Sequence, residues 1–325
     1  MKARFRNSPK PIGAPRGFYT NGETDVFGYV SVANVETKFT IILIMRKIFT
    51  LAAAMFLMLG LQAQQLSVGE AKVLKGTEKG GFYHAVFSPS GDYLLTSTED
   101  YSGLNRHELQ TGKQTRLSDA AGAGYGVRIS QDGKQIVARR YEYQDNRRFT
   151  AIERINAKTG KTTVARRMAR EQVAPVEETA EKVYVTTNGF EMTVHNGGQE
   201  TVIRPCGNES YFWCSVSPDG NRVLYVTAHH GAQICNIDGS NAAYLGIMNA
   251  PQWIDNENVI GMIDRDNGDM ITDSRLLVRN INTPEKVQVL ATGQKIAMYP
   301  AVSADGKRIA FNNEKGQIFI MEVKQ

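Results

Sequence analysis

The segment Ser215–Val226 reads SVSPDGNRVLYV and predicts a β-hairpin. Its two apolar runs flank a Pro-Asp-Gly turn, in which proline favours the second position of a type I turn and glycine accepts a positive φ angle. Three similar segments occur in the chain: VFSPSGDYLLT from Val86, RISQDGKQIVA from Arg128 and AVSADGKRIAF from Ala301. A hairpin that returns along one chain indicates a repeat architecture, and its spacing decides the fold.

The turn glycines are separated by 42, 87 and 86 residues, at Gly91, Gly133, Gly220 and Gly306. Each longer gap is about twice the first, so each should contain one degenerate unit. Those units are PVEETAEKVYVT from Pro175 and QWIDNENVIGMI from Gln252. Six units of about 43 residues, each with several short strands, predict an all-β fold over residues 64–325: a six-bladed β-propeller with four-stranded antiparallel blades.

The first unit divides into strands A to D at His84–Ser88, Tyr93–Ser97, Asn105–Leu109 and Lys113–Leu117. The last unit supplies only three strands. Because an open sheet edge is a liability, we expect the strand-like segment Leu66–Leu74 to supply the fourth strand and close the ring.

The SPSG, SPDG and SADG turns, each followed by a polar residue and an apolar run, resemble the WD-like repeats of the TolB C-terminal propeller family. The resemblance covers roughly residues 66–325. It does not include the α/β domain that precedes the propeller in TolB, so it implies the fold rather than a Tol–Pal role. The repeats also resemble the propellers of prolyl oligopeptidase-type enzymes, although we expect no hydrolase domain to accompany them.

The stretch 45–63, MRKIFTLAAAMFLMLGLQA, has the organisation of a secretory signal peptide. Two basic residues precede an apolar run that is short for a transmembrane span of about 20 residues. An uncleaved N-terminal anchor is the alternative. We expect Met45 to be the true start, with residues 1–44 a non-native or disordered upstream segment. The signal peptide predicts a periplasmic or secreted protein of the Gram-negative envelope.

The net charge of +5 arises within residues 1–63, which contain eight basic and three acidic residues. The remaining chain carries 30 of each sign, and this balance argues against a general nucleic-acid binder. The three cysteines do not form a disulfide framework. A Cys206–Cys214 bond and buried free thiols are both compatible with the sequence.

The chain contains no Gly-x-Ser-x-Gly, His-Glu-x-x-His, P-loop or Cys-x-x-Cys motif, so we expect a non-enzymatic protein. In a four-stranded blade the A–B and C–D turns lie on one face, here termed the turn face. The B–C and D–A connections lie on the other, the loop face. The long irregular connections are on the loop face, where binding function concentrates.

Two predicted B–C loops give the loop face opposite charges at opposite blades. Blade 2 contains Arg139–Arg148, and residues 139–170 have ten basic and three acidic residues. Blade 5 contains the acidic segment Asp264–Asp273. Large aromatic residues recur near the starts of the A strands. The candidate ligand-binding residues are Arg139, Arg140, Tyr141, Tyr143, Arg147, Arg148, Tyr211, Trp213, Trp253 and Tyr299.

The expected partner is an envelope protein, or an acidic peptide or anionic glycan that the arginines attract. We expect a monomer that neither binds nucleic acid nor inserts stably into a membrane after signal cleavage. The alternative is that the charged loops are merely solvated and the aromatic residues pack between blades.

We expect no cofactor. Metal binding is a second alternative, with calcium as one candidate ion. Asp264, Asp266 and Asp269 lie at spacings similar to those of a calcium loop. His84, His229 and His230 are candidates for a metal site over the central channel, resembling that of propeller lyases that act on acidic sugars. They define the alternative function, a metal-dependent polysaccharide lyase or hydrolase.

Overall fold

The computed structural model describes residues 65–168 and 183–324, apart from the side chains of 164–168. All regular secondary structure in these ranges is β-strand. No helix there is long and apolar enough to cross a membrane. The predicted signal peptide and upstream segment lie outside the described residues.

The described part of the chain begins with two short strands, which are followed by consecutive antiparallel sheets. The short strands are β1 (Ser67–Val68) and β2 (Lys72–Val73). Blade 1 consists of β3 (Tyr83–Phe87), β4 (Tyr93–Ser97), β5 (Leu104–Glu108) and β6 (Gln114–Ser118). Blade 2 consists of β7 (Arg128–Ile129), β8 (Gln135–Gln144), β9 (Arg147–Asn156) and β10 (Thr162–Met168). Blade 3 has three described strands, β11 (Val183–Thr187), β12 (Met192–Asn196) and β13 (Gln199–Ile203).

The second half of the chain continues the pattern. Blade 4 consists of β14 (Tyr211–Val216), β15 (Arg222–Thr227), β16 (Gly231–Asn236) and β17 (Ala243–Gly246). Blade 5 consists of β18 (Asn249–Trp253), β19 (Asn258–Asp266), β20 (Ile271–Asn280) and β21 (Thr283–Val289). Blade 6 consists of β22 (Met298–Val302), β23 (Arg308–Asn312) and β24 (Ile318–Lys324). The six-bladed propeller is therefore confirmed, while the inner strand predicted near Pro175 lies outside the described residues.

The N-terminal segment closes the ring as predicted. Both β1 and β2 pair antiparallel with β24, with Ser67 opposite Lys324 and Lys72 opposite Ile320. The backbone N–H of Leu74 donates to the carbonyl of Ile318 at 2.7 Å. The last blade thus joins strands from both ends of the described chain, so its outer edge is covered.

The repeated turn is held by one serine, one aspartate and one glycine. In blade 4 the Gly220 N–H donates to the Ser217 carbonyl at 2.8 Å, and Gly220 has a φ of 76°. The Ser217 hydroxyl donates to Asp219 Oδ1 at 2.5 Å. This bond holds the pKa of Asp219 below its usual value. The motif therefore closes a hairpin, which accounts for its recurrence without a ligand.

The same turns contact the neighbouring blades. A Cβ on Gly91 would lie 2.1 Å from Arg308 Nη2 of blade 6, and one on Gly306 would lie 2.7 Å from the Ile254 carbonyl of blade 5. In blade 5, Asn256 accepts a hydrogen bond from the Asp219 N–H at 2.9 Å. Glycine is needed at positions 91 and 306 because both residues have a positive φ and because atoms of the neighbouring blade occupy the position that a Cβ would take.

The described residues form five apolar core clusters, and each joins two adjacent blades. The cluster between blades 1 and 2 contains Tyr93 and Leu95 from one blade, and Ile136 and Ile155 from the other. The cluster between blades 6 and 1 includes Leu74 of the closing segment. Because each blade buries its faces only against its neighbours, closure and core formation depend on each other.

Two predicted loops are instead long hairpins, and this part of the prediction was wrong. Strands β8 and β9 pair from Gln135–Asn156 to Gln144–Arg147, so the segment Arg139–Arg148 is mostly strand. Likewise β19 and β20 extend through most of Asp264–Asp273. Tyr141 and Tyr143 alternate with the charged Arg140 and Glu142, and such alternation suits a strand. The high density of charged residues favours a loop, which is why the sequence predicts one.

Strands B and C of five blades are linked by polar side-chain pairs. The pairs are Thr96–His107, Arg140–Glu153, Thr186–His195, Thr227–Gln233 and Asp264–Ser274. His107 is fully buried, and burial lowers its pKa to about 4. The imidazole is therefore neutral in the folded protein at pH 7.

Replacing Leu74 tests ring closure. Leu74 is 6% exposed and packs between blades 6 and 1, whereas its neighbour Val73 is 39% exposed. We expect Leu74→Ala to lower the free energy of unfolding by about 2–4 kcal/mol, measured by chemical denaturation. The matched variant Val73→Ala should cost less than about 1 kcal/mol. Equal losses would show that the segment does not fasten the ring.

His107 predicts a pH dependence of stability. Between about pH 6.5 and 4 the unfolded chain binds a proton at this position that the folded chain does not. Stability therefore falls as the pH falls through this window, by roughly 3 kcal/mol. Denaturation curves at both ends of the window should show that His107→Gln removes this part of the loss. A variant with the unchanged pH slope of the wild type would contradict the assignment.

Candidate functional site

A cavity of about 700 Å³ opens on the loop face at the mouth of the central channel. Every blade contributes to its wall. One representative residue per blade, in blade order, is His84, Arg139, Asn188, Trp213, Gln252 and Tyr299. The cavity is thus formed by the starts of the inner strands together with the ends of neighbouring strands and loops.

A repeated backbone distortion aims side chains at this mouth. Four residues that are not glycine have positive φ at the start of inner strands: His84 at 54°, Trp213 at 47°, Ala250 at 45° and Tyr299 at 52°. In each case the pairing of the inner strand with the next strand shifts register there, as in a β-bulge. Such a conformation costs about 1–3 kcal/mol, and bulges re-aim side chains. All four residues line the cavity.

These bulge positions were missed as a set, although the sequence contains a signal for them. His84, Trp213 and Tyr299 each lie seven residues before the glycine of the repeated turn. In blade 2 the equivalent position is Gly126, which has a φ of 64° and also lines the cavity. The seven-residue spacing from the turn glycine therefore identifies these residues at the cavity mouth. It does so only when the inner strand is known to contain a bulge at that position.

An aromatic chain runs along the blade 6, 1 and 2 side of the cavity. The His84 ring stacks on Tyr101 with a centroid distance of 3.7 Å, and Tyr299 meets His84 edge-on at 4.4 Å. Tyr101 contacts Tyr125 edge-on at 5.2 Å. The Arg139 guanidinium carbon lies 4.6 Å from the Tyr125 ring centre, which extends the chain to a cation.

Burial keeps His84, Tyr101 and Tyr299 in their neutral forms. Burial lowers the pKa of His84, although the hydrogen bond from its Nε2 to the Glu99 carbonyl opposes this effect. Burial raises the pKa of Tyr101 to about 12 and also raises that of Tyr299. Near pH 7 these three side chains are therefore uncharged.

Two arginines supply the positive charge of the cavity. Arg148 lies over the Tyr141 ring at 4.6 Å, as Arg139 does over Tyr125. Neither guanidinium forms an ion pair with a carboxylate of the described residues. The Arg139 Nε is buried and has no hydrogen-bond partner within the described part of the chain. An arginine with such unused donors is suited to bind an anion.

The remaining predicted basic residues lie outside the cavity. Arg140 faces the other side of β8 and pairs with Glu142 at 2.7 Å and Glu153 at 2.5 Å. Arg147 and Tyr143 are exposed near the hairpin tip. Because side chains alternate along a strand, only every second residue of this segment faces the channel.

Two predicted aromatic residues belong to the core. Trp253 is 8% exposed and packs between blades 4 and 5, so its predicted place at the mouth is corrected. Tyr211 borders the cavity but is fully buried, and its hydroxyl donates to the Gly207 carbonyl at 3.1 Å. Trp213 is 44% exposed and remains a mouth residue.

The structure does not bring the predicted metal ligands together. His229 Nδ1 lies 2.8 Å from Glu209 Oε2, and His230 is 3.7 Å from the same carboxylate, whereas His84 belongs to the aromatic chain. No group of three or more His, Cys, Asp or Glu side chains in the described ranges is arranged to hold a metal ion.

The predicted calcium ligands Asp264 and Asp266 form hydrogen bonds with different groups and share no common partner. Asp264 accepts hydrogen bonds from Ser274 and Asn249. Asp266 accepts one from the Gly268 N–H, and Asp269 is exposed. The spacing resembles that of a calcium loop, but Asp264 and Asp266 lie on strand β19 and Asp269 lies in the turn that follows it.

The three cysteines are free thiols, which favours the buried-thiol alternative. Burial raises the pKa of Cys214 and of Cys235 to about 12, so both remain protonated. The Cys206 thiol donates to Gln233 Oε1 at 3.1 Å. All three pack with the cluster between blades 3 and 4.

No protein-family model matches the chain, and no curated protein matches it. Among solved structures, a TolB-like protein from Agrobacterium tumefaciens is 18% identical, with 75% of this chain and 90% of that chain covered and a TM-score of 0.49. An oligogalacturonate lyase from Vibrio parahaemolyticus is 13% identical, with 80% and 97% covered and a TM-score of 0.45. An oligogalacturonate lyase in complex with manganese is 16% identical, with 75% and 77% covered and a TM-score of 0.46. Likeness at this level carries no argument about function.

The strained bulges predict an unequal response to glycine. Ala250 has a φ of 45°, whereas Ala310 lies in the regular strand β23, and both are buried. Glycine relieves a left-handed backbone but weakens a regular strand. We therefore expect Ala250→Gly to be at least about 1 kcal/mol less destabilising than Ala310→Gly, by chemical denaturation. Equal losses would argue against strain at the mouth.

Proposed function

We propose that this propeller is an exported, non-enzymatic binding module whose channel mouth holds an anionic glycan or an acidic peptide. One observation carries the proposal: Arg139 and Arg148 face one cavity beside aromatic rings, and neither pairs with a carboxylate of the described residues. Arg139 is half-buried, its Nε is buried, and a guanidinium in that position without a counter-charge is costly, a cost that an anionic ligand would remove. Arg148 is exposed at the same mouth and adds positive charge without that burial cost.

The aromatic surface supports a ligand with rings or apolar side chains beside its negative charge. Tyr125, Phe212 and Trp213 border the cavity and are 47%, 44% and 44% exposed. Phe212 and Trp213 belong to blade 4, opposite the blade 1 part of the aromatic chain. A ligand in the mouth would therefore contact aromatic surface on two sides and arginine on a third.

The composition of the wall supports binding rather than catalysis. The described residues that line the cavity include one histidine and no aspartate, glutamate or cysteine. The Nε2 atom of His84 is hydrogen-bonded to the Glu99 carbonyl, and the aromatic rings that contact His84 are those of Tyr101 and Tyr299. A nucleophile or general acid–base pair would need partners within hydrogen-bond reach of each other, and the described residues of the wall supply no such pair of His, Cys, Asp or Glu side chains.

Export is the part of the proposal that rests on sequence alone. Residues 45–63 have the basic and apolar regions of a signal peptide. In the Gram-negative envelope, anionic glycans and the acidic segments of envelope proteins are both available ligands. The proposal therefore names the chemistry that they share, a carboxylate beside an apolar surface.

Intrinsic fluorescence tests the proposal, because Trp213 is exposed at the mouth while Trp253 is buried. The probes are a uronic-acid hexasaccharide and a hexaglutamate peptide, each with an uncharged counterpart. We expect at least one acidic probe to change the emission and neither neutral probe to do so. Arg139→Ala and Arg148→Ala should each weaken binding about tenfold or more, as expected for a charge-assisted hydrogen bond.

Arg147→Ala is the matched control, since Arg147 lies on the same hairpin but does not line the cavity. It should bind the probe with nearly the affinity of the wild type, and Trp213→Phe should remove the signal. The absence of binding by both acidic probes would overturn the proposal. Equal weakening by all three arginine variants would replace a specific site with general charge attraction.

A further inference from the structure

Two β-hairpins project beyond the other blades on the loop face. Strands β8 and β9 have ten residues each, and β19 and β20 have nine and ten, against five in β4 and in β5. At about 3.3 Å per residue, the additional four or five residues extend each hairpin by roughly 13–17 Å. We call them the blade 2 hairpin (residues 139–148) and the blade 5 hairpin (residues 264–273).

The two hairpins carry opposite charge. The blade 2 hairpin contains four arginines and two acidic residues, for a net charge of +2. The blade 5 hairpin contains four aspartates and one arginine, for a net charge of −3. In a six-bladed ring, blades 2 and 5 are separated by half a turn. Unlike charges therefore stand at opposite edges of one face.

Both tips also expose apolar side chains and unpaired charges. Tyr143 of the blade 2 hairpin is 70% exposed, and Met270 of the blade 5 hairpin is 66% exposed. Within the described ranges, Arg147 on one hairpin and Asp266 and Asp269 on the other form no ion pair. Asp145 is also exposed at the blade 2 tip, so the net positive charge of that hairpin comes from Arg147 together with Arg139 and Arg148 on its channel side, whereas the blade 5 hairpin is net negative. Each hairpin thus offers an apolar anchor, and the net charges of the two hairpins are complementary.

We propose that two copies of this chain associate face to face through these hairpins. A two-fold axis that lies in the plane of the loop face, perpendicular to the line from blade 2 to blade 5, exchanges the two positions. The blade 2 hairpin of each copy then meets the blade 5 hairpin of the other, and both contacts form at once. The resulting interface is isologous and closed, which is the commonest symmetry of soluble oligomers.

The chemistry favours a second copy over an unrelated partner. One rotation pairs a positive hairpin with a negative one at both edges, and it brings Tyr143 near Met270 twice. A uniformly charged partner surface would attract one hairpin and repel the other. The inference replaces the monomer expected from the sequence, and it does not depend on the proposed ligand.

Charge reversal on each hairpin tests the dimer by sedimentation velocity of the full chain. The first variant, Q144E/R147E, makes both hairpins negative, and the second, D266K/D269K, makes both positive. We expect the wild type to dimerise with increasing concentration, less strongly when salt is raised from about 0.05 to 0.5 M. Each variant alone should be monomeric at concentrations where the wild type is a dimer. An equimolar mixture, and the chain carrying all four substitutions, should recover the dimer.

The control is K113E/K158E, which changes two exposed lysines in turns of the opposite face and should dimerise as the wild type does. These variants leave Arg139 and Arg148 intact, so ligand binding and dimerisation are scored separately. A wild type that remains monomeric up to about 100 µM, a range that includes weak associations, overturns the proposal. So does a mixture that stays monomeric, or assembly that continues beyond dimers, since an open contact would not be two-fold.

Discussion

The pairing of β24 with the two N-terminal strands is the constraint on which the rest of the structure depends. Each of the five described core clusters lies between two blades, so a blade at an open end would expose half of its apolar surface. The pairing of Ser67 with Lys324 and of Lys72 with Ile320 removes that end by joining the termini of the described chain. Closure also fixes the radius at which six inner strands meet, and so the width of the channel mouth that forms the cavity.

The fold could be predicted because its signals are local and repeated. A serine three residues before a glycine accepts the same backbone hydrogen bond in four blades, so Ser217–Gly220 and its counterparts mark four hairpins, and their spacing counts the blades. The first blade's second strand was predicted with its observed bounds, Tyr93–Ser97, and the other strands of that blade to within one residue. Turn chemistry depends on a few adjacent residues and little on the distant chain.

The site was predicted less well, because it depends on register and burial rather than on residue type. Arg139 and Arg140 are adjacent residues of the same type, yet Arg139 faces the channel whereas Arg140 forms ion pairs with Glu142 and Glu153. The direction follows from strand alternation, and a segment predicted to be a loop has no such alternation. Trp253 was placed at the mouth because it is aromatic and near an inner strand, but it packs in the core between blades. The bulges need the register shift between paired strands, which a single sequence does not show.

The positions of the two hairpins reconcile an occupied mouth with a face-to-face dimer. They rise from blades 2 and 5, while the B–C connections of the other blades, such as the turn at Asn188 and Gly189, are short. Two copies that meet at the tips of hairpins extending roughly 13–17 Å each would be separated by a gap of roughly 26–34 Å rather than by flat contact. The short B–C connections of the other blades leave room at the sides of that gap. A flexible chain of carboxylates could enter laterally and reach Arg139 and Arg148 at both mouths, whereas a folded domain approaching along the channel axis would be excluded. The same hairpin would then serve two roles on its two sides, with channel-facing arginines for the ligand and tip residues for the second copy.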